Sequence, residues 1–530
     1  MREHWSDYPV PLMRHDTPYG DRMVRCFDPR PHNFFAMFAV SVAARASQDA
    51  VVCEGRRWSY AQTDTEVARI ANGLAERGVV CGERVLLFIG NRPEFVFVLL
   101  ALQRLGAIAV PVGVREQRPG LAFIANQCGA RAIVLDAELV DRVPDTDQAP
   151  ELALRVVIDG GGRDSLAALA SEHGTAPTPA RVRETDVAVI LYTSGTTGNP
   201  KGAMLTHLNI VHSVLHYQAC MRLQPDDRSA LAVPASHVTG LIAIIAAMLK
   251  VGGAIIIVPA FKAGEFLRLV EDERVSHTLM VPAMYKLCLL NDDFNHRDLD
   301  CWRIGGYGGA PMPVATIDAL AARLPGLTLL NAYGATETTS PVTMMPTGFT
   351  REHADSVGVA LPTADIRVMD ELGRELPAGE AGELWIGGPM VVPGYWGNPE
   401  ATAASFTAGY WHSGDIGSVD AEGFVRILDR KKDMINRGGF KIYSAEVENV
   451  LMALPGVLEA AIVGRACPVL GERVHAYLYA PDVTLQEEAV RVHCRSQLAD
   501  YKVPEGITWC EAPLPRNANG KVMKRLLRQD

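Results

Sequence analysis

From about residue 34 to residue 330 the chain keeps switching between two hydrophobic rhythms, and this alternation constrains the fold more than any other feature. Apolar or small residues recur at helical spacing over Ser59–Arg77 (Val67, Ile70, Ala71, Leu74), and Gly78 follows. Arg84–Ile89, RVLLFI, then reads as a buried strand, Glu94–Leu105 as an apolar helix and Ala107–Val112 as another strand. The strand pattern returns at Ala132–Leu135, Arg155–Ile158, Val187–Tyr192, Ala254–Val258, Thr278–Val281 and Leu327–Leu330. Helix and strand in turn predict an α/β fold, with open sheets that carry helices on their faces. No internal repeat of fixed period is present.

The chain has 530 residues, too many for one compact core, so two or more domains are expected. Residues 1–30 read as an irregular arm. After about residue 355 the rhythm changes. DIRVMD, GELWIGG, GFVRILDR and INRGGFKIY are short strands broken by Gly and Asp turns, which predicts a small β-rich, barrel-like subdomain. Beyond it, Ala445–Ala453, Leu485–Leu498 and Lys521–Leu527 read as helices, and Leu458–Val463 and Val474–Tyr479 as strands. The division expected is a large domain over 1–428, a hinge at 429–432 within the charged stretch DRKKD, and a small mobile α+β domain over 433–530.

Composition excludes several classes. Apolar residues make up 48% and charged residues 21%, the balance of a globular protein. With a net charge of −10 and no Lys/Arg block, a nucleic-acid partner is not expected. The ten cysteines form no C-x-x-C, so they are expected as reduced, buried thiols. The N-terminus is polar and lacks the apolar core of a signal peptide. The longest apolar run, Leu241–Ile257, is broken by Lys250, Gly252 and Gly253, so no transmembrane segment is expected. Together these predict a cytoplasmic location.

The chemistry is concentrated in a few loops. Leu191–His207, LYTSGTTGNPKGAMLTH, combines glycines, hydroxyls and one lysine directly after a strand. Glycines let backbone N–H groups converge on an anion, and the hydroxyls add donors. The pattern is not the Walker loop: Pro200 stands where its second Gly would be, and Gly202 where its Ser/Thr would be. In NAYGATETTS (331–340), Tyr333 offers a face for a base and Glu337 a hard oxygen ligand. Magnesium takes one or two protein carboxylates beside phosphates and water. In YWHSGDIG (410–417), Asp415 can accept from a ribose diol. DRKKDMINRGGFKI (429–442) and PRNANGKVMKRLL (515–527) are basic loops that, taken singly, read as solvated charge runs.

Taken together and in this order, these motifs resemble those of the adenylate-forming superfamily, which includes acyl-CoA synthetases, luciferases and the adenylation domains of peptide synthetases. The resemblance runs from about residue 55 to the C-terminus. VPASHVTG (233–240) is similar to the segment that bears a histidine beside the acyl pocket, and GGYGGAPM (305–312) to the loop lining that pocket and the adenine site. Two positions depart from the usual pattern. Ser413 stands where Thr is common before Gly-Asp, and Ser236 precedes His237 where many members carry a bulky aromatic.

The resemblance implies an ATP-dependent acid–CoA ligase that makes an acyl-AMP with release of pyrophosphate and then an acyl-CoA, with ATP, Mg²⁺ and coenzyme A as cofactors. Thr193, Ser194, Gly195, Thr196, Thr197, Gly198 and Lys201 would hold the β- and γ-phosphates. Gly309, Ala310, Pro311 and Tyr333 would hold adenine, and Asp415 and Arg430 the ribose. Thr336 would contact the α-phosphate and Glu337 the metal. Lys521 would bridge the carboxylate and the α-phosphate, with His237 also at the reacting end. Gly438, Gly439 and Lys441 belong to the loop implied to serve CoA, the two glycines lining the thiol tunnel after a rotation about Lys432. The acyl pocket would involve His237, Val238, Thr239, Gly240, Tyr307 and Gly308, and the acid could be aromatic or aliphatic.

Two alternatives share part of this reading: a free-standing acyl-AMP ligase that loads a carrier protein, and a binding protein that has lost catalysis. No carrier-protein segment follows Gly520, which favours CoA, and the joint presence of Lys201, Glu337, Asp415, Arg430 and Lys521 favours catalysis. A homodimer, and a lysine acetyltransferase acting on Lys521, are the macromolecular partners considered.

Overall fold

The computed structural model describes residues 4, 12–171, 176–193, 199–481, 485–516 and 522–528. They fall into two compact units: Met1–Ile366 with Ile386–His412, and Arg367–Trp385 with Ser413–Asp530.

The first unit is built on two sheets. One has six strands, in the order Lys201–Thr206, Val187–Thr193, Ile108–Pro111, Arg84–Phe88, Ala132–Asp136 and Leu154–Ile158. All pairings are parallel except that between its first two strands. The other has nine strands and is parallel from Thr328–Tyr333 through Ile304–Tyr307, His277–Met280, Arg228–Leu231 and Ala254–Ile257 to Asp49–Cys53. The predicted α/β alternation is present, with most boundaries within a residue or two.

The elements form for local reasons. Ser59 caps the helix Tyr60–Glu76 through a capping box with Gln62, so two backbone donors that a helix start leaves unpaired are satisfied. The helix Pro93–Leu105 starts at a proline and ends at Gly106 (φ 69°). It is apolar almost all round because it packs on strands of both sheets, Arg84–Phe88, Ile108–Pro111 and Asp49–Cys53, and on the helix Tyr60–Glu76. The apolar run after His237 is not a simple helix. Thr239–Ala246 is a π-helix, continued by an α-helical turn over Ala247–Val251. Helical periodicity does not reveal that wider winding, which is often found beside functional sites.

The expectation of an irregular N-terminal arm is corrected. Met13–Asp16 pairs antiparallel with Val24–Phe27. Phe27 is fully buried, stacked on His212 (5.8 Å, 11°) and edge-on to His216 (5.3 Å, 67°). Only the distant helix His207–Cys220 supplies these partners, so the local sequence carries no alternation that marks the strands.

In the second unit, a sheet runs Phe440–Ile442, Ile435–Arg437, Gly471–Tyr479 and Glu459–Cys467, and Gly506–Trp509 lies parallel to the third of these. Helices Ser444–Met452 and Glu487–Arg495 cover it around a core of Ile435, Ile442, Val447, Leu451, Ile462 and Val474. The predicted C-terminal helix is described over Lys524–Leu527, and Lys521 lies outside the described residues. Among the described residues, no helix is long and apolar enough to cross a membrane.

Candidate active site

Ser194, Gly195, Thr196, Thr197 and Gly198 lie outside the described residues. The two strands that flank this stretch are paired, with Thr193 opposite Lys201 at their ends. A second loop leaves the strand Thr328–Tyr333 and makes one 3₁₀ turn over Thr336–Thr338. Thr339 (φ 51°) and Ser340 (φ 33°) follow in the left-handed region, which is unusual for non-glycine residues and occurs most at functional loops.

These loops meet at Glu337, a side chain only 8% exposed. Thr193 Oγ1 donates to Glu337 Oε1 at 3.4 Å, and Tyr395 Oη donates to the same oxygen at 3.0 Å. Lys201 Nζ stands 5.1 Å from the centre of the Tyr395 ring. Burial, reinforced by the Glu337 charge, pushes the Tyr395 phenol upward, so it keeps its proton and acts as a donor.

The segment around Tyr395 escaped sequence reading. It is stitched to the lysine strand by Met204 N→Gly394 O (3.1 Å) and Trp396 N→Gly202 O (2.7 Å), and to the acidic turn by Val392 N→Glu337 O (2.9 Å). The one sequence signal in it was Asn398-Pro399, a helix start: Asn398 Oδ1 accepts from Ala401 N at the head of Pro399–Ser405.

Among the described residues, no group of three or more His, Cys, Asp or Glu side chains gathers as a metal cage. One buried carboxylate held by two hydroxyls fits a different metal role, that of magnesium carried mainly by phosphate oxygens.

The adenine candidates emerge side by side. Ile304–Tyr307 and Thr328–Tyr333 are neighbouring parallel strands, and their C-terminal ends lead into Gly309-Ala310-Pro311 and Tyr333-Gly334. Loops past the carboxyl ends of parallel strands are where open α/β sheets bind ligands. Gly309, Ala310 and Pro311 are exposed, and Tyr333 and Thr336 half-buried. At Gly308 a Cβ would come within 2.4 Å of the Ala332 carbonyl oxygen, so only glycine fits.

His237 is exposed to solvent, yet surrounding protein mass lowers its pKa by desolvation. Its Nδ1 accepts from Thr239 N at 3.3 Å, which leaves the proton on Nε2. Val238 is buried, and a Cβ on Gly240 would meet the Pro234 carbonyl oxygen at 2.3 Å. Asn91, not singled out by sequence, fastens this segment. Its amide lies within donor distance of the carbonyls of Leu231 (3.2 Å), Val233 (3.0 Å) and Val258 (3.2 Å), and its Oδ1 accepts from Ala235 N at 2.8 Å. Tyr307 is 1% exposed and packs in the core with Met280, Tyr285 and Met312.

The second unit carries the other candidates. Asp415 is buried opposite Arg430 in the pairing of Tyr410–Val419 with Val425–Arg430, and Arg430 Nε lies 2.8 Å from Asp415 Oδ1. Ser413 Oγ accepts from Asp415 N at 3.0 Å across Gly414 (φ 67°). A hydroxyl is what that position requires, so serine serves where threonine is common. Lys432 is exposed, and its carbonyl accepts from Arg528 Nη2 at 2.9 Å. Gly438 (φ 59°) and Gly439 (φ 91°) form the exposed turn of the hairpin that continues into Lys441, and Lys441 Nζ lies 3.0 Å from Glu371 Oε1. Arg516 and Val522 pair as an antiparallel bridge, which brings together the two ends of the stretch containing Lys521.

Comparison with known proteins agrees with this geometry. The AMP-binding enzyme family matches residues 38–396, and the AMP-binding enzyme C-terminal domain matches 446–521. A feruloyl-CoA synthase of Amycolatopsis sp is 35% identical over 479 residues, 90% of this chain and 94% of that one. The long-chain-fatty-acid–CoA ligase FadD13 of Mycobacterium tuberculosis is 33% identical over 473 residues, 89% of this chain and 93% of that one. The structure of ATP-bound MatB from Rhodopseudomonas palustris superposes with a TM-score of 0.86 at 32% identity, covering 94% of this chain and 98% of that one. The chain belongs to the adenylate-forming AMP-binding enzymes. Within them it is an AMP-forming acid–CoA ligase, for which ATP, a carboxylic acid and CoA are substrates.

Proposed function

We propose that this ligase activates an acid with an apolar body, aromatic or aliphatic, and that Glu337, Lys201 and Lys521 divide the electrostatic work. The convergence of Thr193 and Tyr395 on Glu337, with Lys201 over the Tyr395 ring, carries the reading. The segments read as the acyl pocket, 233–240 and 305–312, contain no charged side chain, which favours an uncharged acyl body. The feruloyl and long-chain relatives are consistent with that class.

In the first step a carboxylate oxygen attacks the α-phosphorus of ATP and pyrophosphate leaves. Two anions meet there, so cationic groups must stabilise the charge. In this reading Lys201 holds the departing phosphates, and Lys521 bridges the carboxylate and the α-phosphate. Magnesium, when bound at Glu337, supplies further charge neutralisation on the phosphates. In the second step the CoA thiolate attacks the acyl carbonyl, the acyl–phosphate C–O bond breaks and AMP leaves. Lys521 must withdraw for the thiol to approach, and Lys432 is the proposed pivot, with Gly438 and Gly439 entering in its place.

Lys521→Ala is expected to lower acyl-AMP formation about 10²–10³-fold while largely sparing thioester formation from supplied acyl-AMP. Rapid-quench assays of the two half-reactions check this, and equal loss in both would refute the division of labour. A pyrophosphate-release screen over aryl, short-, medium- and long-chain acids and dicarboxylates, with and without CoA, tests the acid. Preference for a dicarboxylate would overturn the apolar assignment.

A further inference from the structure

Tyr395 touches both charged groups of the site described above, and none of the recognised motifs contains it. Its hydroxyl donates to Glu337 Oε1 at 3.0 Å, and its ring face lies 5.1 Å from Lys201 Nζ. The side chain is 5% exposed. Its backbone N–H donates to Thr402 Oγ1 at 3.0 Å, and its ring meets Phe406 edge-on (5.8 Å, 66°). Its two neighbours in sequence, Gly394 and Trp396, are hydrogen-bonded to the strand that begins at Lys201. The ring is therefore fixed relative to the lysine by backbone and relative to the carboxylate by its hydroxyl.

We infer that Tyr395 is a positioning residue that couples the lysine and the carboxylate of the ATP site, its ring face seating Lys201 and its hydroxyl setting the plane of Glu337. This rests on the reading of Glu337 as the metal-bearing carboxylate and Lys201 as the phosphate cation. A hydroxyl that orients a metal carboxylate typically contributes 10–100-fold to metal affinity. A lysine held over an aromatic face is restrained by a weaker, non-directional attraction, which lets the ammonium group remain available to an anion on its other side. A phenylalanine at this position keeps the second function and loses the first, so the two contributions separate.

The test uses the full chain with Mn²⁺ as probe and an ATP analogue carrying a methylene bridge between the α- and β-phosphorus. Mn²⁺ affinity is read by electron paramagnetic resonance, analogue affinity by calorimetry and folding by thermal unfolding. Tyr395→Phe is expected to weaken Mn²⁺ binding about 10-fold, with analogue affinity in the absence of metal unchanged and a single cooperative unfolding transition retained. Tyr395→Leu is expected to lose roughly a further 2–5-fold in analogue affinity, a loss that disappears in the Lys201→Met background. Wild-type Mn²⁺ affinity in Tyr395→Phe overturns the inference, as does a Tyr395→Leu deficit that persists without Lys201. Glu337→Gln serves as the separate control. If it leaves Mn²⁺ affinity intact, the reading of Glu337 itself fails, whatever Tyr395 does.

Discussion

Asn91 shows how a single neutral amide can fasten a loop to its neighbours. Its Nδ2 faces three carbonyls and its Oδ1 takes one N–H, so a half-buried side chain closes the backbone from Leu231 to Ala235 and reaches Val258. Asn91→Ala removes the donor from the three carbonyls and the acceptor from Ala235 N, and is expected to cost about 2–4 kcal/mol. Asn91→Asp is expected to cost more, because a carboxylate offers no donor and sets its charge against three carbonyl oxygens. Urea denaturation of both variants measures this, and equal stability of the two would refute the donor argument. Ser413 teaches a related lesson. The departure from threonine was visible in sequence, but only the Asp415 N–H on its hydroxyl shows why the change is harmless.

At the scale of elements, what was legible depended on where each element finds its partners. The helix Tyr60–Glu76 and the strand Arg84–Phe88 carry their own period, cap and turn, and were readable residue by residue. The N-terminal strand pair is held by Phe27 against His212 and His216, far away in the chain, and was not. The π-helix over Thr239–Ala246 hid inside an apolar run that suits several windings. The site divides in the same way. Thr193, Lys201 and Glu337 sit in motifs rich in turn and anion-binding chemistry, whereas Tyr395 and Asn91 gain their meaning from contacts made across the fold. The proposed pivot also belongs to this scale. Lys432 is exposed in a turn between the strands Val425–Arg430 and Ile435–Arg437. Lys432→Pro fixes φ there and is expected to spare adenylation while slowing thiolation by roughly 10-fold or more. Unchanged thiolation in rapid-quench assays would remove the pivot from Lys432.

For the molecule as a whole, buried imidazoles make stability depend on acidity. His207, His212 and His277 are buried, and loss of solvent presses each pKa down to about 4; His216 is driven well below its ordinary value in the same way. His212 is held neutral, with Nε2 accepting from Phe27 N at 3.2 Å and Nδ1 donating to Leu208 O at 2.9 Å. The unfolded chain takes up protons near pH 6.5 and the folded chain does not, so stability is full above that value and falls as pH drops toward about 4. Each histidine adds about 1.4 kcal/mol of loss per pH unit within that window. Urea unfolding from pH 7.5 to 4.5 should show the decline, and His212→Gln should shallow its slope by about one proton. An unaltered slope would show that His212 does not contribute.

The strand that begins at Lys201 is also the rim of its sheet. Along such a rim, unpaired N–H and C=O groups invite another chain to add a strand. Here Met204 N–H and the Gly202 carbonyl are already taken by Gly394 and Trp396, with Ala203 bridged to Tyr395. The segment that carries Tyr395 therefore also covers this rim of the sheet, so a substitution that frees it is expected to lower solubility.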